Sequence, residues 1–390
     1  MSVKIFEFLQ PIDNPFYGNP EGSARIAERI DMHRFDHKPE VEGCRVALIG
    51  VNDGRNSGDN EGCSGGPSAI RDHLYRLTPH SRWSATADLG DIKTSFTEDE
   101  TEIALIAVVS ELIQMGIIPI VLGGGQDLTY SMYSALESLG RPINVVTVDQ
   151  RLDFGGDPQI STSRNYMNRV VLHEPNYLFD YVNVGHQGYL SDPDTLELLE
   201  KLQFEAIRLG QVHANTKLLE PTFRNADLIS IDMASIRAAD HPASVHAGPN
   251  GITASQICQI ARYAGLSDRI LALGVFEHNP DLDDRERGAQ LTAQVVWHML
   301  DGIFYQPGDH PKCSTDEYTR YVVDLPGNDH EVAFYKSPRS DRWWMDVPIP
   351  TSKKNNKDHH HLVPCSYEDY EEAASGQLPD RWWRTYQKLA

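Results

Sequence analysis

The stretch IPIVLGGGQDLTYSMYSALESLGRPINVVTVDQRLDFGG, residues 118 to 156, decides the fold. An apolar run ends on three glycines, and a helical segment closed by Gly140 follows. A second, β-branched run then carries Ile143, Val145, Val146 and Val148. Strand, helix and strand in so short a span predict a parallel pair, and runs without polar alternation predict strands buried on both faces. The second strand ends on Asp149 and Asp153 with Arg151 between them, so two carboxylates and a guanidinium arrive at one place.

The same rhythm continues on both sides. RVALIGV, FDYVNVG, EAIRLG, ADLISIDM and RILALGVFE read as strands. GPSAIRDHLYRL, DETEIALIAVVSELIQMG, DTLELLEKL, ITASQICQIARYAG and RGAQLTAQVVWHMLDGIF read as helices. Such alternation predicts an α/β fold with a mostly parallel sheet covered on both faces. Ligands of these sheets lie beyond the carboxyl ends of the strands, where the sequence places Gly123 to Asp127, Asp149 to Asp153, Asp232 and Glu277.

Around this domain, residues 44–306, composition changes twice. Residues 1–43 mix charge, proline and glycine and read as a peripheral arm, with some helical character in EGSARIAERIDM. Residues 307–390 read as an extension: TRYVVDL and EVAFYKS form an edge hairpin, a polar loop near 350–362 is mobile, and SYEDYEEAAS and LPDRWWRTYQKLA are helical.

A formal charge of -21, from 56 acidic and 35 basic side chains, argues against nucleic acid and anionic membranes as partners. Five scattered cysteines point to a reducing cytoplasm, and the apolar segments are too interrupted for a membrane span. GGGQD lacks the Lys-Ser/Thr of a phosphate loop. Cys63, in EGCSGG, reads as a buried neutral thiol and His359 to His361 as a solvated loop. His186 and His246 could reach the pocket or serve as structural histidines. DRWW occurs at 341–344 and again at 380–383, so four of the six tryptophans lie in the extension, either packing it onto its own core or a subunit neighbour or anchoring a protein partner.

Six stretches taken together, GVNDGRNSGDNEGCSGGPSAIR, DLGDI, PIVLGGGQDLTYSMYSAL, VDQRLDF, SIDMASI and VFEHNPDLD, resemble the ureohydrolase superfamily of arginase, agmatinase and formiminoglutamase. The resemblance implies a three-layer α/β/α fold and a homo-oligomer. It also implies four aspartates and two histidines holding two Mn²⁺ ions, whose shared hydroxide attacks a guanidinium or amidine carbon. Against that pattern this chain has Gln126 for the first histidine, Arg151 for the middle one and Ala234 for the last aspartate; Asp149, Asp153 and Asp232 remain. Gly125 replaces an aspartate, Asp127 a serine, and Met167 stands where a proton-shuttling histidine is usual.

Four carboxylates balance two divalent ions, whereas three carboxylates with Arg151 leave two negative charges, which one divalent ion would balance. Two readings stand. In one, the guanidinium of Arg151 takes the second metal position, and Asp149, Asp153 and Asp232, with the Gln126 carbonyl, hold at most one weakly bound Mn²⁺, Mg²⁺ or Ca²⁺. In the other, no metal binds and Arg151 pairs with the aspartates. Glu277 resembles the carboxylate that holds the substrate's guanidinium or amidine, or is a loop carboxylate without a ligand. With Asp127 it leaves the pocket suited to a small cationic amidine or guanidine. The sequence thus frames two functions, a non-hydrolytic binding, regulatory or assembly protein and a hydrolase of C–N bonds in linear amidines.

Overall fold

The computed structural model describes residues 4–12, 25–94, 97–157, 160–311, 315–325, 331–349 and 360–390. Ten strands form the main sheet: β1 (Leu9–Gln10), β2 (Asp31–Met32), β3 (Val46–Val51), β4 (Thr86–Ile92), β5 (Ile118–Gly123), β6 (Ile143–Val148), β7 (Leu178–His186), β8 (Glu205–Arg208), β9 (Leu228–Asp232) and β10 (Ala272–Phe276). Their order is β1-β4-β3-β5-β10-β9-β6-β7-β8, with β2 also on β4, and every pairing is parallel except β1 with β4.

Successive side chains of one strand point to opposite faces, and each face has its own core. Val46, Leu48, Val146, Val148, Ile229, Ile231, Leu273 and Val275 enter one cluster. Ala47, Ile49, Val51, Ile143, Val145, Leu228, Ala272 and Phe276 enter the other. Helices Ala254–Gly265 and Arg287–Phe304 cover the first face, and Glu98–Gln114 and Leu128–Ala135 the second. The expected layering is what folds.

The arm is more integrated than its composition predicts. Leu9–Gln10 pairs antiparallel with β4 and Asp31–Met32 pairs parallel with it, so these residues extend the sheet. Of EGSARIAERIDM, only one short turn, Ile26–Glu28, is helical among the described residues.

The extension folds as a second, antiparallel sheet of β11 (Thr319–Asp324), β12 (Glu331–Lys336), β13 (Trp343–Pro348) and β14 (His360–Cys365), followed by helices Tyr367–Ala374 and Asp380–Leu389. Residues 350–359 of the expected loop, His359 among them, lie outside the described residues. His360 to Leu362 instead pair with β13, because the polar text conceals a strand that closes the sheet edge. His361 sits against Phe179 with ring centroids 5.6 Å apart, and burial, with Arg269 nearby, pulls its imidazole pKa down to about 4.

Three of the four extension tryptophans are buried, Trp343, Trp344 and Trp382, whereas Trp383 is 48% exposed. The clamp is Arg224, buried just before β9, whose Nη1 donates to Trp343 O and Nη2 to Cys365 O, both at 3.0 Å, while its Nε pairs with Glu220. Arg384 pairs with Glu205 and Lys388 with Asp180. These partners stand at the amino ends of β7, β8 and β9, so the extension docks opposite the carboxyl ends. No helix among the described residues is long and apolar enough to cross a membrane.

Candidate functional site

Four neighbours in the sheet, β5, β10, β9 and β6, end at the same level, and each delivers polar residues there. After β5 the chain turns through Gly124 and Gly125 into Gln126 and Asp127, which opens helix Leu128–Ala135. A Cβ on Gly124 would lie 1.9 Å from Asp53 O, and one on Gly125 would lie 2.3 Å from Asp127 Oδ1 and 2.5 Å from Ser57 Oγ. The glycines are therefore set by crowding.

Glu277, directly after β10, has φ 64°, and its N–H donates to Gly124 O at 2.9 Å. Its carboxylate accepts from Ser57 Oγ at 2.8 Å and the Gln126 N–H at 2.9 Å on Oε1, and from Asn60 Nδ2 at 2.8 Å on Oε2. A non-glycine residue in the left-handed region is held there by surrounding contacts, and such positions concentrate at functional sites. Asp153, with φ 52°, is another.

The aspartates are crowded. Asp149 Oδ1 accepts the Arg151 N–H at 2.7 Å, and Asp232 Oδ1 accepts the Ala234 N–H at 2.6 Å. Asp149 and Asp153 are close enough for each to shift the other's pKa. Burial raises all three carboxyl pKa values, and the neighbouring Asp149 charge raises those of Asp153 and Asp232 further. Half-buried Asp127 is pushed up to about 7 by desolvation, against the hydrogen bond from Asn56 Nδ2 at 2.8 Å.

Arg151 does not make the ion pairs expected of it. Among the described residues it has no carboxylate partner within 4.0 Å, and its charge reaches Asp149, Asp153 and Asp232 only through space. Its backbone is held on both sides: the N–H is taken by Asp149, and Asn183 Nδ2 donates to its carbonyl at 2.6 Å. Arg151 Nε, Gln126 Nε2, Asp149 Oδ2, Tyr166 OH and Asn183 Oδ1 are all buried without a hydrogen-bond partner. Orphaned polar atoms are rare in folded interiors, and here they gather around one set of carboxylates. Among the described residues no three His, Cys, Asp or Glu side chains are grouped to hold a metal ion.

A cavity of about 180 Å³ opens over this cluster, lined among others by Ser57, Arg151, Asp153, Arg164, His246 and Glu277. His246 thus reaches the pocket, stacked against Arg164 Nη2 at 2.9 Å. His186 does not, because the last residue of β7 faces a separate groove along β8 with Trp383. Met167 is buried in the core, and Thr162, Ser163 and Arg164 of its loop face the cavity instead. Cys63 is buried, its thiol pKa raised by desolvation. Sequence reasoning passed over Ser57, Asn60 and Asn56, which orient Glu277 and Asp127. The dense run of Asn, Asp and Gly in GVNDGRNSGDN was the available signal.

The fold and this carboxyl-end constellation define an arginase-type α/β protein, and residues 44–301 match the model of the Arginase family, so the chain belongs to that family. The chain is 24% identical over 274 residues to the formimidoylglutamase of Cupriavidus pinatubonensis, covering 66% of this chain and 84% of that one. With the formimidoylglutamase of Streptococcus gordonii it shares 23% over 294 residues, 70% of this chain and 89% of that one. In three dimensions it is similar to the crystal structure of Trypanosoma cruzi formiminoglutamase with Mn²⁺, with a TM-score of 0.66 at 22% identity over 73% of this chain and 100% of that one. The Bacillus subtilis formimidoylglutamase structure also gives 0.66, at 18% identity, over 77% of this chain and 98% of that one.

Proposed function

We propose that this chain is a non-hydrolytic arginase-family protein that binds a small cationic amidine or guanidine at Glu277, in a binding, regulatory or assembly role. The observation that carries the reading is the donor set: Gln126, Arg151 and Ala234 stand where the family pattern has two histidines and an aspartate, and Asp149, Asp153 and Asp232 remain. Its chemistry follows from the donors. Gln126 and Arg151 offer no imidazole, Ala234 offers no ligand atom, and one oxygen each of Asp149 and Asp232 is engaged by a backbone amide. Such a set does not fit two bridged ions; an oxygen-only site for one weakly held Mn²⁺, Mg²⁺ or Ca²⁺ is the most it supports. A metal-bound water has its pKa lowered from about 15.7 to about 7, and a chain without that activation loses the nucleophile of the family reaction. In this reading Glu277, oriented by Ser57, Asn60 and the Gln126 amide, accepts the planar cation.

The second reading, a metal-dependent hydrolase of C–N bonds in linear amidines, is favoured by the enzymes this chain resembles, one of which was crystallised with Mn²⁺. Two measurements separate the readings. Elemental analysis after purification with Mn²⁺ should find at most one ion per chain, and release of urea, ammonia or formamide from formiminoglutamate, agmatine and arginine should stay at background. Two ions per chain with turnover would overturn the proposal. Gln126→His, Arg151→His and Ala234→Asp introduced together should raise the metal content. The same proposal places the protein in the cytoplasm as a homo-oligomer, with half-exposed Trp383 as the extension tryptophan left for a subunit or protein contact.

A further inference from the structure

We infer that the groove along β8 receives the Phe35 turn of a second copy of this chain. The inference rests on the homo-oligomer reading above and names the contact.

Phe35 is 99% exposed, yet the turn that carries it is firmly held. Arg34 and His37 exchange backbone hydrogen bonds of 2.8 and 3.1 Å across Phe35 and Asp36. Asp31, in β2, ties the turn from behind, accepting from His37 Nε2 at 2.6 Å and from the Glu40 N–H at 3.1 Å. Turn positions favour Gly, Pro, Asn, Asp and Ser, and here one of them holds a large apolar ring in water. A backbone already ordered has given up the freedom that docking would otherwise remove.

The groove, about 470 Å³, lies at the other edge of the sheet. Leu196, Phe204 and half-exposed Trp383 supply its apolar walls. Of its charged residues, Glu205 and Arg384 pair with each other, whereas Glu200, Asp380 and Arg208 have no oppositely charged partner within 4.0 Å among the described residues. The same holds for Arg34, Asp36 and Lys38 around the exposed ring. Two free cations and one anion thus surround Phe35, and two free anions and one cation rim the groove, so the surfaces complement each other in sign. An aromatic side chain seated in an apolar pocket beside a tryptophan is a usual energetic centre of an interface.

The occupant is not the chain's own turn. β2 and β8 stand on opposite edges, separated by β4, β3, β5, β10, β9, β6 and β7, which is roughly 38 Å of sheet at ~4.8 Å per spacing. Phe35 and Trp383 both fall outside residues 44–301, the segment that matches the family, so the contact is built on parts that this chain adds to it.

Phe35→Ser and Trp383→Ser each alter one half of the contact. Sedimentation of the full chain should show self-association, and each variant should raise the dissociation constant at least tenfold. Mixed together, the two variants should form a one-to-one complex, because one keeps its groove and the other its turn. Glu200→Lys should weaken association in the same direction. Melting curves report folding; should Trp383→Ser not fold, Phe35→Ser and Glu200→Lys decide the matter. If the unchanged protein is a monomer at every concentration, the homo-oligomer reading falls together with the inference. If it self-associates and Phe35→Ser keeps its dissociation constant, or the mixed variants stay apart, this contact is overturned and the oligomer reading stands.

Discussion

A Cβ added at Gly125 would lie 2.3 Å from Asp127 Oδ1 and 2.5 Å from Ser57 Oγ, the ends of two side chains that face the site. Gly125→Ala should push the Ser57 hydroxyl and the Asp127 carboxylate from their places and cost about 1–3 kcal/mol in urea unfolding, the usual range for overpacking. A variant as stable as the parent would show that the loop yields. His278, the residue after Glu277, gives a second prediction. It is buried against His241, ring nitrogens 3.1 Å apart, and burial lowers its pKa to about 4, opposed by Asp283. A folded-state value below the ordinary 6.5 means that its contribution to stability is whole above about pH 6.5. That contribution drains as pH falls toward 4, by up to about 1.4 kcal/mol per pH unit. His278→Asn should therefore lose less stability than the parent between pH 6.5 and 4.5, measured by urea midpoints; equal slopes would rule the histidine out as the source. At this scale the sequence was legible in part. Asp149, Asp153, Asp232, Gln126 and Glu277 could be placed from motif order, but whether Arg151 pairs could not. Pairing depends on where a long, flexible side chain comes to rest in three dimensions, which no motif records.

Among elements, β14 and the turn before β9 join the extension to the main domain. Arg224 spends its guanidinium on two extension carbonyls and on Glu220, so Arg224→Leu leaves buried acceptors and a carboxylate without a donor. Breaking a buried pair from one side typically costs ~3–5 kcal/mol. The expected result is an extension that is cut by protease before the main domain, and uniform resistance would contradict the clamp. The strands of the main sheet were readable because each is a short apolar run bounded by Gly, Pro or Asp. β1, β2 and β14 were not. Two-residue strands have no period to detect, and HHLVPC carries its pairing in backbone groups that any sequence possesses.

For the molecule as a whole, the extension is a cover. Arg224 and the ionic anchors Glu205 and Asp180 stand beneath it, so a chain ending at residue 306 would uncover a buried arginine and unpaired carboxylates. Size-exclusion chromatography with light scattering should find that truncated chain aggregated, whereas Trp383→Ser, which alters a half-exposed side chain, should leave the chain folded and soluble. A soluble, cooperatively folded truncation would mean that the domain is independent. The mostly parallel sheet followed from alternating strands and helices, because that pattern admits few topologies. Where the extension sits did not follow, since docking is settled by side chains far apart in the chain, such as Arg384 with Glu205.

The terminal helix Asp380–Leu389 anchors to the amino ends of β7 and β8, across the sheet from the cavity. A sensor surface coupled through a linker on Ala390 would therefore attach on the side of the sheet away from the cavity, and immobilisation would leave the cavity open to solution.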